Sequence, residues 1–296
     1  MKKPSYPVAI AEALIVNLIW SSSFIIVKII IEDLGPLTIS GLRYLIGALI
    51  LLPFMLNEKD KSPLTRKTWG LLFLLGLSAY AIGNGAMFWS LKYLPATTVS
   101  FLMGTLTITT LIVGIFLLKE IPSKLQIGGI LVTLLGTALF FAKGIQVGET
   151  LGLLIFGVGV IGFTTFGILG RKIAQIGKVG TLRLTTIPLA LGGGVTLIIA
   201  FLAEGLPSAP PKTWGLILFL AIVNTAIGYT LYNHALQALN AFQMNIVLNL
   251  TPLWTAFFGF FLLGEKLEML QALGIVVMIS GVMLVQMKKK KILPKT

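Results

Sequence analysis

The sequence predicts an all-α integral membrane protein whose ten transmembrane helices form two inverted repeats of five. The 296-residue chain is 56% hydrophobic and 11% charged, with a mean hydropathy of +0.96. Soluble chains carry roughly twice that charged fraction. The apolar runs also reach the ~20 residues that a helix needs to cross a bilayer core of about 30 Å. A third observation, a long internal repeat, predicts how the helices are arranged.

The repeat matches residues 69–139 to residues 214–284 without a gap, at an offset of 145, with about 23 of 71 aligned positions identical. The identical pairs include aromatic, acidic and glycine positions: Trp69 and Trp214, Gly83 and Gly228, Glu120 and Glu265, Gly136 and Gly281. A repeat of this length constrains the architecture before any other feature does. We therefore expect a first five-helix unit at residues 8–143, a second at 149–287, and a basic cytoplasmic tail at 288–296.

Short breaks with turn or charge chemistry divide the chain into ten apolar spans, so that neighbouring helices run antiparallel. The predicted spans are 8–31, 37–56, 69–89, 96–118, 124–142, 150–170, 181–203, 213–235, 241–263 and 269–287. With both termini on one side, that side receives 17 of the 23 lysines and arginines, and the other side or the membrane receives 6. Cytoplasmic loops carry the excess of Lys and Arg. We therefore expect a multi-pass protein of the inner or plasma membrane with both termini in the cytoplasm.

Each repeat holds five spans, and an odd number makes the second copy enter the membrane from the opposite side. Glu120 is then expected at the cytoplasmic face and Glu265 at the outer face. Two inverted copies around an axis in the membrane plane are typical of secondary transporters, whose substrate site lies at the midplane between the copies. The repeat thus predicts a carrier that works by alternating access, with a channel-like facilitator as the alternative.

The composition argues against other classes of function. Cytoplasmic anchors explain the net charge of +13, so nucleic-acid binding is not predicted. One histidine and no cysteine are too few reactive groups for a membrane-embedded enzyme. No catalytic residue, cofactor or metal site is predicted. Lys288 to Lys291 are expected to anchor the last span and to attract anionic lipid at the cytoplasmic face.

Several motifs support the same interpretation. Residues 17–24 read Asn-Leu-Ile-Trp-Ser-Ser-Ser-Phe, close to a Trp-Gly-Ser-x-Phe signature, and Lys28 and Arg43 follow it. Residues 90–96 read Ser-Leu-Lys-Tyr-Leu-Pro-Ala, and the helix after them closes in a glutamate. Over residues 8–287 the chain resembles the EamA-type permeases of the drug/metabolite transporter superfamily. The resemblance implies a basket of ten helices with a cavity lined mainly by the third, fourth, eighth and ninth, and export or uptake of amino acids and other small metabolites.

Two positions depart from the family pattern. Ser21 stands where the family has Gly, and Thr107 stands where the family, and Pro252 in the second copy, have a mid-helix proline. No proline is therefore present to kink the fourth span, and the two halves need not move equivalently.

Polar side chains near mid-span should face a cavity or a neighbouring helix, because polar groups are costly in hydrocarbon. In the eighth span Thr225, Tyr229 and Tyr232 have the i, i+4, i+7 spacing of one helical face, and the ninth span has a comparable stripe. The predicted substrate-binding residues are Trp20, Tyr80, Asn84, Trp89, Tyr229, Tyr232, Asn245, Asn249 and Trp254. The alternative is that the amides bond neighbouring helices and the tryptophans belong to the interface belt.

Four ionisable residues in the spans are candidates for charge or coupling roles: Glu12, Lys28, Arg43 and His234. Glu12 is expected to pair with a cation or water near the cytoplasmic surface, and His234 to be an interface residue or a proton relay. Lys28 and Arg43 could neutralise a substrate carboxylate or form structural pairs with Glu32, Asp33 or helix C-terminal carbonyls. No Asp or Glu lies at a predicted midplane, which predicts weak or no proton coupling.

The predicted lining is mostly neutral and rich in amides and aromatic rings. We therefore expect small uncharged or zwitterionic substrates such as amino acids, and the resemblance favours export. The alternative is a carrier of anionic metabolites that uses Lys28 and Arg43.

Overall fold

A computed structural model describes residues 4–58, 63–118, 122–144, 148–176, 179–239 and 241–286. Within these ranges the chain is helical and no strand occurs, as predicted. The helices are α1 (Tyr6–Ile30), α2 (Pro36–Leu56), α3 (Arg66–Ser90), α4 (Ala96–Gly104), α5 (Leu106–Leu118), α6 (Lys124–Phe140), α7 (Glu149–Ile176), α8 (Thr181–Ala203), α9 (Pro211–Ala235), α10 (Ala241–Leu248), α11 (Thr251–Leu263) and α12 (Met269–Gln286). The basic tail, with Lys288 to Lys291, and Glu120 lie outside the described residues.

Nine candidate spans in the described part of the chain are long and apolar enough to cross a membrane. The predicted fifth span is the shorter helix α6, which has 17 residues. At ~1.5 Å per residue it rises about 26 Å, slightly less than a hydrocarbon core. The all-α prediction is confirmed, whereas the count of ten spans stays a prediction.

Helix boundaries follow local sequence signals. α2 and α9 begin at prolines, whose fixed φ suits the first helical position. α6 begins with a capping box, in which the Ser123 hydroxyl accepts from the Gln126 backbone amide at 3.3 Å and the Gln126 side-chain oxygen Oε1 accepts from the Ser123 backbone amide at 2.9 Å. α11 ends at Gly264, which has a left-handed φ of 68°.

Glycines bring α6 and α12 into close contact. A Cβ atom on Gly129 would lie 2.7 Å from the carbonyl oxygen of Gly281, and one on Gly274 would lie 2.7 Å from that of Gly136. Small residues permit such backbone approach in membranes, where van der Waals packing replaces the hydrophobic drive between helices. Gly129 and Gly274 are repeat mates, as are Gly136 and Gly281, so the contact is reciprocal.

Two spans are interrupted at matching places in the repeat. The fourth predicted span breaks at Thr105, between α4 and α5, and the ninth breaks between α10 and α11. Pro252 lies in the first turn of α11. The first break forms although Thr107 replaces the corresponding proline, and the Thr105 hydroxyl donates to the Leu102 carbonyl at 2.6 Å. The interruption of the fourth span therefore does not depend on proline.

Two π-helical segments, Leu77–Asn84 inside α3 and Leu220–Ile227 inside α9, were not predicted. Such segments are frequent at functional sites. In each, a polar side chain donates to the carbonyl five residues earlier, Asn84 at 2.8 Å and Thr225 at 3.1 Å. When the repeat offset of 145 is added to the first segment, it overlaps the second, so the two segments lie at equivalent places in the repeats.

Glutamates lie at the starts of three helices, and two of them accept hydrogen bonds there. Glu204 accepts from two backbone amides and the Thr38 hydroxyl at the start of α2, at 2.7 to 2.9 Å. Glu265 accepts from two backbone amides and the Thr97 hydroxyl at the start of α4, at 2.7 to 3.1 Å. Glu58 lies against the start of α8. A carboxylate at a helix N-terminus satisfies free N–H groups and complements the helix dipole.

Candidate functional site

The interior holds a cavity of about 310 Å³. Its walls come from α1, α2, α3, α7 and α9 and from both helix breaks, so residues of the two halves face each other across it. Sites for small molecules begin at roughly this size. The cavity can therefore hold a compact metabolite.

Both helix breaks contribute polar groups to the cavity wall. Gly104 and Thr107 flank the first break, and Asn249 and Thr251 flank the second. The Asn17 amide of α1 donates to the Leu248 carbonyl at 3.1 Å and to the Thr251 hydroxyl at 2.9 Å, which satisfies groups that the second break frees. Irregular backbone at membrane depth is tolerated where it lines a cavity or is buried in protein.

Arg43 is the one charged side chain among the described cavity-lining residues, and only 4% of it is exposed. Its Nε donates to the Thr225 hydroxyl at 3.0 Å, and its Nη1 donates to the Ser23 hydroxyl. The guanidinium carbon lies 5.1 Å from the ring centre of Tyr44 and 5.6 Å from that of Phe88. Aromatic faces attract a desolvated cation. Arg43 is thus held by neutral partners.

An aromatic group forms the wall beside Arg43. The Trp20 ring lies 5.4 Å from that of Tyr229 and 5.3 Å from that of Tyr232, and its Nε1 donates to the Asn224 carbonyl at 3.0 Å. The hydroxyl of Tyr80 donates to that of Tyr229 at 3.3 Å. This last contact connects α3 of the first half to α9 of the second.

The predicted substrate-binding residues divide into three groups. Trp20, Asn84, Tyr229 and Asn249 line the cavity. Tyr80 and Tyr232 stand behind this lining, where they contact the Tyr229 hydroxyl and the Trp20 ring.

The third group lies away from the cavity wall or cannot be placed. Trp89 is 42% exposed near the end of α3, the position of an interface aromatic. Trp254 packs against Phe257 and Phe258, at 6.3 and 6.4 Å between ring centres, and does not line the cavity. Asn245 lies in α10, but its side chain is outside the described residues.

Lys28 lies outside the cavity. Its Nζ donates to the carbonyls of Leu94, at 2.9 Å, and Leu91, just after the end of α3. A cation is favourable at a helix C-terminus, where carbonyls lack partners. The sequence allowed two roles for Lys28, neutralising a substrate carboxylate or forming a structural bond. In the structure Lys28 forms a structural bond, to the carbonyls after the end of α3.

Glu12 and His234 contact each other, a pairing that was not predicted. Glu12 Oε1 lies 2.7 Å from His234 Nδ1, and the two side chains are 14% and 10% exposed. The contact connects α1 to the last turn of α9. Neither side chain lines the cavity.

The cavity also includes residues that the sequence analysis did not select, among them Ser23, Tyr44 and Phe163. Ser23 lies inside the first-span signature and Tyr44 directly follows Arg43, so the neighbours of both residues pointed to this region. Phe163 comes from α7, a span in which the sequence analysis selected no residue. Its position follows from packing between spans that are distant in sequence.

Comparison with known proteins agrees with this architecture. A sequence profile described as the EamA-like transporter family matches residues 8–142 and again 150–287. A crystal structure aligns with a TM-score of 0.69 at 14% identity, over 95% of this chain and 98% of that chain. At this identity the likeness concerns the fold alone.

Related sequences are described as transporters. An uncharacterized transporter of Archaeoglobus fulgidus is 28% identical, with 92% of this chain and 95% of that protein aligned. The uncharacterized transporter YyaM of Bacillus subtilis is 27% identical, with 88% of each chain aligned. An S-adenosylmethionine/S-adenosylhomocysteine transporter of Chlamydia trachomatis is 26% identical, with 93% of this chain and 89% of that protein aligned. With the family profile matching both halves, the chain belongs to the EamA-like transporter family.

Proposed function

We propose that this protein is a secondary transporter that carries a small organic solute by alternating access through the central cavity. The observation that carries this proposal is the cavity itself, which lies where two spans are interrupted at matching positions of the repeat. Transporters bind substrate between repeats at discontinuous helices, because freed backbone groups can face the solute there.

We further propose that the halves are inverted five-helix copies, with α6 as the fifth span and both termini in the cytoplasm of the cell membrane. Reciprocal contacts support the copy relationship. Gly47 lies against Thr225, and its repeat mate Gly192 lies against Tyr80, the repeat mate of Thr225. The uneven distribution of Lys and Arg supports the orientation, and we also propose that the basic tail binds anionic lipid there.

The proposed substrates are amino acids or similar zwitterionic or neutral solutes, moved out of the cell. The support is a lining of amides, hydroxyls and aromatic rings with a single cation. The Chlamydia trachomatis relative is named for two substrates that both carry an amino-acid end. Weak or absent proton coupling is proposed because Glu12 and His234 lie outside the cavity.

Counterflow in vesicles tests the proposal. Purified protein is reconstituted, loaded with one unlabelled solute from a panel of amino acids, nucleosides and sugar phosphates, and assayed for uptake of the labelled solute. A carrier gives saturable uptake that the internal solute accelerates. Thr107→Trp should reduce uptake by filling the cavity, whereas Leu131→Trp, at a side chain that is 63% exposed on α6, should not. Linear, non-saturable flux without counterflow would instead indicate a channel-like facilitator.

A further inference from the structure

Arg43 has no acidic partner among the residues that the structure describes. Its hydrogen bonds go to the hydroxyls of Ser23 and Thr225, and its other contacts are ring faces. A guanidinium has five N–H donors in a fixed fork, so the two bonds leave donors free. None of its nitrogens is both buried and without a partner, which means that the free donors open to the cavity.

An uncompensated cation inside a membrane is costly, and such groups mark substrate or ion pathways. Neutral hydroxyls and aromatic faces offset only part of that cost. A carboxylate offsets more, because it neutralises the charge and matches the planar fork with two parallel hydrogen bonds. The cavity therefore presents an incomplete ion pair.

Two further observations indicate what surrounds such a carboxylate. Asn249 lines the cavity and is 9% exposed, so the wall includes a polar side chain from the second half. Trp20 and Tyr229 add aromatic rings to the same cavity wall. A ligand that fits has one anionic end and a compact body.

We propose that Arg43 recognises the carboxylate of the transported solute, and that the substrates are small monocarboxylates, zwitterionic amino acids included. This inference rests on the proposed transport function and narrows its substrate class. Because Arg43 is the one cation among the described cavity-lining residues, it can neutralise one carboxylate of each substrate molecule.

The test compares acids with their own primary amides. Thermal stabilisation of the purified protein in detergent is measured with the twenty common amino acids and a set of simple monocarboxylates, each beside its amide. The amide keeps the body and removes the negative charge, so the ratio of acid to amide affinity reports the carboxylate alone. We expect acids to bind at least about tenfold more tightly than their amides.

Substitutions test whether Arg43 causes the preference for acids over amides. Arg43→Gln should bring acids and amides to similar affinity, and Arg43→Lys, which keeps the charge but loses the planar fork, should retain part of the preference. Lys28→Gln is the matched control, because it removes a membrane cation that lies outside the cavity. It should lower the melting temperature without changing the acid-to-amide ratio.

The outcomes separate this inference from the proposed function. Equal binding of acids and amides to the natural protein overturns the inference. So does an unchanged ratio in both Arg43 variants, or the absence of any stabilising acid. If the protein exchanges uncharged solutes in counterflow and Arg43→Lys does not change the rate, the inference is overturned, whereas the transporter proposal is retained. Binding of acids without counterflow by any of them defeats the transporter proposal alone.

Discussion

The two halves of the molecule differ in charge at corresponding positions. Arg43 of α2 and Pro188 of α8 are separated by the repeat offset, yet only Arg43 is charged and lines the cavity. Arg43 also donates across the molecule to Thr225 of the second half, at 3.0 Å. The two copies thus share the helical scaffold, whereas the charged group of the cavity lies in the first copy alone.

The helix breaks show the same difference between scaffold and chemistry. The first break is satisfied locally, by the Thr105 hydroxyl on the Leu102 carbonyl. The second has a similar local bond, from the Thr251 hydroxyl to the Leu248 carbonyl at 2.6 Å, and that carbonyl also accepts from the Asn17 amide of α1 at 3.1 Å. The second break thus has an additional partner from another helix, and a substitution in one half need not act like its mate.

The largest expected effect tests the reciprocal contact of α6 with α12. Gly129→Ala and Gly274→Ala should each lower the free energy of unfolding by about 2–3 kcal/mol, since the new methyl overlaps a backbone atom of the other helix. Gly128→Ala is the control, because nothing lies within 4 Å of its Cβ position. Unfolding in mixed detergent micelles measures the difference. A cost at only one of the two repeat mates would break the symmetry of this contact.

The glutamate caps give the next effect. Glu204→Gln and Glu265→Gln should each lower the free energy of unfolding by about 2 kcal/mol, because each weakens three hydrogen bonds to a charged acceptor. Glu268→Gln should cost less than about 0.5 kcal/mol, since its pair with Lys143 is exposed. Similar losses at Glu265 and Glu268 in the same unfolding assay would mean that the cap contributes little.

The contact between the tyrosine hydroxyls should have a smaller effect. Tyr80→Phe and Tyr229→Phe each remove one partner of the 3.3 Å bond and should cost about 1 kcal/mol. Because the two share one bond, the double variant should cost little more than either alone. Fully additive losses in a double-mutant cycle would show that the halves are not coupled here. Tyr44→Phe serves as a neighbouring control.

Replacing the proline at the second break should have the smallest effect. Pro252→Ala should cost about 0.5 kcal/mol, mainly through greater freedom of the unfolded chain. Counterflow should persist, because the first half breaks at Thr105 without a proline. Loss of transport in a folded Pro252→Ala protein would mean that the two breaks arise differently.

Hydropathy and the internal repeat can be read from the sequence without any knowledge of contacts, and they predicted the all-α fold. They also selected Trp20, Asn84, Tyr229 and Asn249, which line the cavity. Contacts between segments that are distant in the sequence could not be predicted from these patterns. For Lys28 the sequence allowed either a substrate carboxylate or a structural partner. Only the packing of α1 against the end of α3 shows that its partners are helix carbonyls.

The same limit applies to Glu12 and His234, which lie 222 residues apart in the chain and contact each other only once α1 and α9 pack. The π-helical segments escape prediction for a different reason. When the backbone hydrogen bonds shift from four-residue to five-residue spacing, the side chains that follow rotate about the helix axis by a fraction of a turn. Apolar spans tolerate this rotation, and no pattern in the sequence marks it.

Opposite membrane orientation of the halves is the central claim, and single-cysteine labelling tests it most directly. The natural chain has no cysteine, so Lys124→Cys and Met269→Cys can each be introduced alone. The two positions are exposed repeat mates at the starts of α6 and α12. In intact cells, an impermeant thiol reagent should label Met269→Cys at once and Lys124→Cys only after permeabilisation. Labelling of both from the same side would contradict the account.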